Sequence, residues 1–395
     1  MLAVTETVSW GVLYYAFAVF LVPMQRELGW SKGELTGAFS LALATAALAA
    51  FPVGRWLDRH GPRSLMTLGS LLGALLVFAW SQVHELLIFY VIWIGLGAAM
   101  ACVLYEAAFT VVTKWFGEQR RRALTTVTLV GGLASFVFSP LSNWLIHAQG
   151  WRGALIALAI VLAAVTVPLH ALLPRAAPIA PAPTSESASI APAPPQHGGR
   201  LEDALGEPAF WSLTAAFVLS SFAISALAVH LIPYLLERGQ SASFAAAAAG
   251  LMGLMQVPGR LIFAGAGRFM PRRYEAAAVF LLQGLGIATL AASATGGVIL
   301  AAVSLFGLGN GMATLVRATA IADAYGASRY GSIAGVAAAF ATGSRAVAPV
   351  TAAGVYAVFG SYPPLLWLLV ATSVLAGVTA GFAGPRLGGQ GRPLA

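Results

Sequence analysis

Long apolar runs recur along almost the whole sequence, each about 20 residues long. A helix of that length crosses the roughly 30 Å hydrocarbon core of a bilayer. Hydrophobicity and turn signals divide the chain into about twelve such runs. Only 9% of the residues are charged, whereas a soluble domain carries about a quarter. The sequence therefore predicts an all-α membrane protein with twelve transmembrane helices.

The distribution of basic residues predicts how these helices are oriented. With the N-terminus placed in the cytoplasm, 15 of the 22 lysines and arginines fall in cytoplasmic segments and 4 in outer segments. Cytoplasmic loops are the ones enriched in such residues. We therefore expect both termini in the cytoplasm, and the compact loops favour a bacterial inner (plasma) membrane. This topology explains the net charge of +8 better than nucleic-acid binding, which needs a basic soluble face.

One segment without a periodic apolar face interrupts the series after the sixth run. Residues 174–208 are rich in Pro, Ala and Ser, a composition typical of a flexible and partly polyproline-like linker. This segment separates residues 1–173 from residues 209–395, with six predicted helices on each side. We expect two six-helix bundles joined by a cytoplasmic linker.

The two six-helix segments share an ordered series of positions. At a constant offset of 210 residues, three positions of the first segment recur in the second: Pro23, Gly29 and Ser31 as Pro233, Gly239 and Ser241. Such a series indicates duplicated halves, and duplicated halves that face each other define a central cavity. Secondary transporters use this arrangement for alternating access.

The loop after the second run carries a known signature. Its sequence, GRWLDRHGPRSLM at residues 54–66, resembles the major facilitator superfamily pattern G-x-L-a-D-R-x-G-R-K-x-x-L. The matching residues are Gly54, Asp58, Arg59, Gly61 and Arg63. The resemblance implies the major facilitator fold, with two pseudo-symmetric six-helix bundles. It also implies that the loop is a cytoplasmic gating latch between the halves; in the alternative interpretation the loop only anchors the topology.

The residue types of this loop suit a latch. Glycines allow close helix approach and a tight turn. Asp58 can face the N-terminus of a helix, where the helix dipole favours a negative charge. The arginines can remain at the anionic inner surface of the membrane.

Three short segments resemble the monocarboxylate porter and oxalate/formate antiporter branch of the superfamily. They are Ser9-Trp10-Gly11, WFGEQRRRALTTVTLVGG at 115–132 and MQVPGR at 255–260. This resemblance implies a small monocarboxylate-like substrate, carried by symport or exchange. It also implies that Arg260 anchors the substrate carboxylate. Gln256 stands where the branch has an aspartate that takes part in proton coupling.

Arg260 is unusual on physical grounds as well. Placing an arginine at bilayer depth costs about 2.5–3.5 kcal/mol on insertion scales, so it should face a cavity or a partner. Gln256 lies one turn earlier on the same helix face. Pro258 cannot donate to the carbonyl of Leu254, which predicts a kink one turn before the charge. A guanidinium binds a carboxylate through two hydrogen bonds, although a structural ion pair or a cytoplasmic gate would also explain the residue.

Other ionisable residues fall inside predicted spans, and most are basic. The predicted spans contain three arginines, Arg260, Arg317 and Arg345, but only one deep acid, Glu106. The charge of the membrane interior is therefore positive if all four are ionised. An anionic substrate would balance that charge. Glu106 either neutralises an arginine or is a proton site, and His230 is either a proton carrier or a hydrogen-bonded residue near the outer helix end.

Two interpretations also stay open for the remaining candidates. Arg345 either contacts the substrate or is structural, whereas Arg317 lies nearer the cytoplasmic end and can pair with Asp323 or a lipid phosphate. Tyr14 and Tyr15 can direct a phenol toward the substrate. Packing between helices explains such polar residues equally well.

Catalysis has no support in the sequence. The six histidines are scattered and no catalytic or phosphate-binding motif is present, so we expect no enzyme activity, metal or cofactor. The leading hypothesis is a secondary carrier of a small organic anion, monomeric in function, with a coupling proton or counter-anion. The alternatives are an exporter of lipophilic or cationic drug-like compounds and a non-transporting membrane sensor.

Overall fold

The computed structural model describes residues 1–174, 201–266 and 272–387, and within these ranges the chain forms helices and no strand. The first half contains six of these helices: α1 (Leu2–Leu28), α2 (Lys32–His60), α3 (Pro62–Ser81), α4 (Leu86–Phe116), α5 (120–149) and α6 (151–171). The second half contains the other six: α7 (Pro208–Glu237), α8 (Ala242–Leu254 and Gln256–Ala266), α9 (Arg272–Ala292), α10 (Gly296–Tyr325), α11 (Tyr330–Phe359) and α12 (Pro363–Leu387). The predicted twelve transmembrane helices are confirmed.

A single glycine separates α5 from α6. Residues Arg120–Ala171 form 52 nearly continuous helical residues, which at about 1.5 Å per residue is far longer than a bilayer is thick. Gly150 interrupts them with φ 73° and ψ 167°, a conformation that essentially only glycine adopts. The chain therefore crosses the membrane twice in this stretch.

Most of the linker predicted at 174–208 lies outside the described residues. Its described end forms a short helix, Leu201–Gly206, that leads into α7 at Pro208.

The recurring sequence positions have recurring structural roles. Gly29 and Gly239 end the first helix of each half with φ 72° and 78°. Ser31 and Ser241 then cap the second helix of each half, because each hydroxyl accepts a hydrogen bond of 3.2 Å from the backbone N–H three residues later. The duplication is thus preserved where backbone geometry allows few residue types.

Packing within each half depends on close backbone approach. Lipid is as apolar as a leucine side chain, so transmembrane helices associate through tight packing at small residues. At Gly97 of α4, a Cβ would meet the backbone of Ala42 in α2. At Gly311 of α10, a Cβ would meet the backbone of Gln256 in α8.

The two halves are joined mainly on one side of the membrane, which we call the motif side because it holds residues 54–63. Gly54 of α2 packs on the backbone of Gly331 in α11, and Gly335 packs on the backbone of Ala50. Among the described side-chain hydrogen bonds and ion pairs, those on the far side stay within one half, such as Arg152 with Glu27. The structure is therefore closed on the motif side.

The contact at Gly97 gives a testable prediction. We expect Gly97→Ala to lower the unfolding free energy by about 1–3 kcal/mol, because the added methyl group overpacks the α2–α4 crossing. Gly250→Ala is the matched control, since a Cβ there meets nothing within 4 Å. Thermal melting in detergent checks both variants. Equal melting temperatures would contradict the importance of this crossing.

Candidate functional site

A cavity of about 300 Å³ lies where the central turns of α7, α10 and α11 meet α9. Its lining is Phe217, Ser220, Ser221, Ile224, Phe280, Asn310, Ala313, Thr314, Arg317 and Arg345. All of these residues belong to the second half. The cavity combines two cations, neutral hydrogen-bonding groups and an aromatic wall, a composition typical of a site for a small polar ligand.

Arg345 is held on the cavity wall by two hydrogen bonds between helices α7 and α11. Ser225 Oγ donates to the carbonyl of Arg345 at 2.9 Å, and Ser344 Oγ donates to the carbonyl of Val218 at 2.9 Å. Within the described part of the chain, no carboxylate lies within ion-pair distance of Arg345. Arg345 therefore places an uncompensated positive charge at the cavity wall, and the two hydrogen bonds fix the position of the helix that carries it.

Arg317, the second cation of the cavity, already has a partner. Its Nη2 lies 2.5 Å from Glu106 Oε1 in the first half. Glu106 occupies the first turn of a new helical segment, because α4 is interrupted at Leu104 by an extended backbone conformation. The partial positive charge of that helix N-terminus stabilises the carboxylate. The sequence suggested Asp323 as a partner for Arg317; in the structure Asp323 instead pairs with Arg120.

Arg260 does not line this cavity. It is 5% exposed, and its Nη1 donates a hydrogen bond of 2.6 Å to the carbonyl of Thr128 in α5. Gly132 of α5 gives the guanidinium its space, since a Cβ there would overlap Nη1. Arg260 thus joins α8 to α5, across the two halves. The predicted kink is confirmed, because α8 is interrupted at Met255, one turn before the charge.

Gln256 and His230 are placed by helix contacts. The backbone of Gln256 packs against Gly311. His230 Nε2 lies 3.2 Å from the carbonyl of Pro349, and its Nδ1 lies 3.5 Å from the Tyr362 hydroxyl. The imidazole is therefore a bridge from α7 to α11 and to the residue that precedes α12.

Tyr14 and Tyr15 belong to a π-helical turn of α1, Trp10–Tyr15. Such turns are rare and concentrate at functional sites. Trp10 packs on Tyr14 with ring centroids 5.1 Å apart and on Tyr105 at 5.0 Å. Both tyrosines lie in the neighbourhood of Arg345. The aromatic turn of the first half therefore faces the cationic wall of the second.

Glu6 is a buried acid that sequence reasoning missed. Its side chain is fully buried; Oε2 accepts a hydrogen bond of 3.0 Å from Trp10 Nε1, and Oε1 has no partner among the described residues. The Cβ of Glu6 lies beside Gly131 of α5. The one sequence feature that could have indicated this hydrogen bond is Trp10, which lies four residues after Glu6 on the same helix face.

Asp58 of the signature loop connects three elements. Its Oδ1 lies 2.7 Å from Lys114 Nζ and accepts from the N–H of Gly331 at 3.1 Å. Its Oδ2 accepts from the N–H and the hydroxyl of Ser332, both at 2.6 Å. Asp58 therefore caps the N-terminus of α11 from the other half, where the helix dipole favours an anion.

The remaining signature residues divide into two kinds. Gly54 and Gly61 are buried, and Gly61 turns the chain between α2 and α3 with φ 76°. Arg59 and Arg63 are exposed on the motif side.

Two further arginines join the halves on the motif side. Arg121 of α5 binds the Glu275 carboxylate through both Nη atoms at 3.1 Å and donates to the carbonyl of Phe263 at 2.8 Å. Its guanidinium also lies 4.5 Å from the centre of the Phe263 ring. Arg120 pairs with Asp323 of α10. The sequence marked these arginines only as topology signals, because their acidic partners lie about 150–200 residues away.

Comparison with known proteins agrees with this architecture. The sequence pattern of the Major Facilitator Superfamily matches residues 7–349. The chain belongs to the Major Facilitator Superfamily. It is therefore an integral membrane protein with the helical architecture of that superfamily.

Relatives and solved structures in the superfamily give further context. The chain is 26% identical to the "Probable L-galactonate transporter" of Escherichia coli over 37% of this chain and 32% of that protein. It is 27% identical to "Monocarboxylate transporter 13" of Rattus norvegicus over 36% and 33%. The matches thus span about a third of each relative. The structure of the superfamily transporter FucP in the outward conformation superimposes with a TM-score of 0.73, at 15% identity and 97% coverage of both chains.

The Arg121 contacts give a prediction for this transporter. We expect Arg121→Ala to raise the population open on the motif side at least tenfold, because hydrogen bonds to charged groups contribute about 1.5–3 kcal/mol. Spin labels at Arg122→Cys and Ser328→Cys, with Cys102→Ser in the background, report the distance between the halves.

Two variants make that measurement decisive. Arg121→Glu combined with Glu275→Arg should restore the short distance, because the ion pair is rebuilt with reversed polarity. Arg152→Ala is the matched control, since Arg152 pairs with Glu27 inside the first half. A distance distribution that Arg121→Ala leaves unaltered would show that the pair does not hold the halves together.

Proposed function

We propose that the protein is a secondary active transporter of small organic anions that works by alternating access, with Arg345 as the anchor of the substrate carboxylate. The observation that carries this proposal is the charge of the cavity. Arg317 is neutralised by Glu106, whereas Arg345 lines the same space without an acidic partner among the described residues. An anion with a carboxylate group supplies the missing charge.

The chemistry of guanidinium supports a carboxylate in particular. A planar guanidinium forms two parallel hydrogen bonds with a carboxylate, and such charge-assisted bonds are about twice as strong as neutral ones. An arginine kept at bilayer depth is costly unless it faces a cavity or a partner. Tyr14 and Tyr15, across from Arg345, can donate phenolic hydrogen bonds to the same anion.

Arg260 has a different role in this proposal. In the structure it seals the motif side by binding the Thr128 carbonyl. When α5 and α8 separate, that bond is lost, and the guanidinium beside Gln256 becomes available to the anion. Arg345 and Arg260 thus contact the substrate in opposite conformations.

Orientation and partners complete the proposal. The excess of basic residues on the motif side supports a cytoplasmic location for that side and for both termini. In this proposal the structure, which is closed on the motif side, is therefore outward-facing. The named substrates of the two curated relatives, L-galactonate and monocarboxylates, are organic acids. We propose a monomeric unit in a bacterial inner membrane, with a proton or counter-anion as the coupling species.

The alternative functions receive less support from the same residues. An exporter of cationic compounds needs an acid free in the cavity, whereas Glu106 is paired with Arg317. A non-transporting sensor would show no substrate flux.

Uptake by proteoliposomes tests the proposal. We expect labelled lactate, gluconate or oxalate to accumulate when a proton gradient or a load of counter-anion is imposed. Arg345→Gln should reduce substrate affinity at least tenfold, because the carboxylate loses a charged hydrogen-bond partner, and Arg345→Lys should recover part of it. Arg152→Gln, which removes a far-side arginine, is the matched control.

Separate binding and flux measurements distinguish the two arginines. Arg260→Gln should leave outward-facing substrate affinity within threefold of the wild type while it reduces flux. An absence of carboxylate flux under every gradient, or wild-type affinity in Arg345→Gln, would refute the anion-anchor proposal.

A further inference from the structure

We propose that the cavity selects carboxylates that carry hydroxyl groups over plain alkyl carboxylates of equal carbon number. This inference rests on the proposed transport of organic anions. It concerns a feature of the cavity that Arg345 does not explain, namely the direction in which the neutral hydroxyl groups of the wall are oriented.

Ser220 sets that direction on α7. Its hydroxyl donates a hydrogen bond of 2.9 Å to Gln283 Oε1, and both side chains are buried. A serine hydroxyl has one hydrogen and two lone pairs. Because Gln283 takes the hydrogen, the Ser220 oxygen offers only lone pairs to the cavity that it lines.

Thr314 repeats the arrangement on α10. Its hydroxyl donates to the carbonyl of Asn310 in its own helix, at 3.4 Å. The Thr314 oxygen therefore also presents lone pairs to the cavity. Two helices on the cavity wall thus contribute hydrogen-bond acceptors close to the cationic Arg345.

This combination determines the ligand chemistry. A carboxylate oxygen has no hydrogen to give, so it pairs with Arg345 and is repelled by the acceptors. Ser220 and Thr314 can accept hydrogen bonds from O–H groups on the rest of the ligand. A plain alkyl acid has no such hydrogen to donate, so it forms fewer hydrogen bonds in the cavity than a hydroxylated acid.

The other lining residues agree with a small hydroxylated chain. Phe217 and Phe280 form an apolar wall suited to the C–H face of such a chain. Arg317, the other cation of the lining, is already paired with Glu106, which leaves Arg345 to bind a single carboxylate, so the proposed ligand class is a hydroxylated monocarboxylate.

Competition between matched acids tests this inference with the full-length transporter in proteoliposomes. The pairs are gluconate with hexanoate and lactate with propionate, which have equal carbon numbers and differ in hydroxyl groups. We expect the hydroxylated acid to be preferred at least tenfold in the six-carbon pair. Ser220→Ala should reduce that ratio at least threefold, since one acceptor is lost.

Two further variants examine the orientation of the hydroxyl. Gln283→Leu releases the Ser220 hydrogen, so the preference for the hydroxylated acid should fall while Ser220 remains in place. Ser304→Ala is the matched control, because Ser304 binds only the Leu300 carbonyl of its own helix among the described residues and does not line the cavity. A ratio measured within one preparation is independent of how much protein is folded.

The outcomes separate this inference from the proposed function. If no carboxylate of either kind is transported, the organic-anion function itself fails. If both members of each pair are transported equally well, the anion function stands and the selectivity inference is overturned. A preference that Ser220→Ala and Gln283→Leu leave unchanged would also overturn it, because the acceptors would not be its source.

Discussion

An ionised arginine at bilayer depth is costly unless it meets a partner or a cavity, and this constraint accounts for the contacts at the centre of the structure. Three guanidinium groups at bilayer depth have three different environments: two bind protein groups of the first half, and the third faces the cavity. Arg317 binds Glu106 across the halves, Arg260 binds the Thr128 carbonyl, and Arg345 faces the cavity. A buried charge without a counter-charge carries an uncompensated desolvation penalty. The negative charge of a ligand therefore lowers the free energy most at Arg345, which has no acidic partner among the described residues.

The contacts that join the halves are of two kinds. One kind is hydrogen bonds and ion pairs, such as those of Asp58 and Arg121, with close packing at glycines such as Gly54 and Gly331; the other is a buried apolar cluster that includes Phe109 of the first half and Ile333 of the second. Water can replace each of these bonds when the motif side opens, whereas separating a large apolar surface would incur a full hydrophobic penalty. The polar contacts of the closed state can therefore be exchanged for water, whereas the shared apolar cluster opposes opening.

The sequence predicted those features that local chemistry determines. Apolar length predicted the helices, Pro258 predicted the interruption of α8, and the repeated positions Gly29 and Gly239 proved to be left-handed turns. The pairing of Arg120 and Arg121 and the burial of Glu6 could not be predicted, and the sequence left open whether Arg345, Arg260 or both line the cavity. They depend on how helices are rotated about their axes and on which helix of the other half they meet, and a single sequence contains no record of either.

Substrate charge and closure are coupled in the proposed function. Arg317 and Arg345 line one cavity, and the charge of each acts on the other. An anion bound at Arg345 offsets that repulsion, and it also weakens the attraction between Arg345 and Glu106 of the first half. The Arg317–Glu106 pair connects the two halves. A substrate bound in the second half therefore changes the free energy of the contact between the two halves. Alternating access requires such coupling, because a substrate shifts the conformational equilibrium only if it binds one state better than the other.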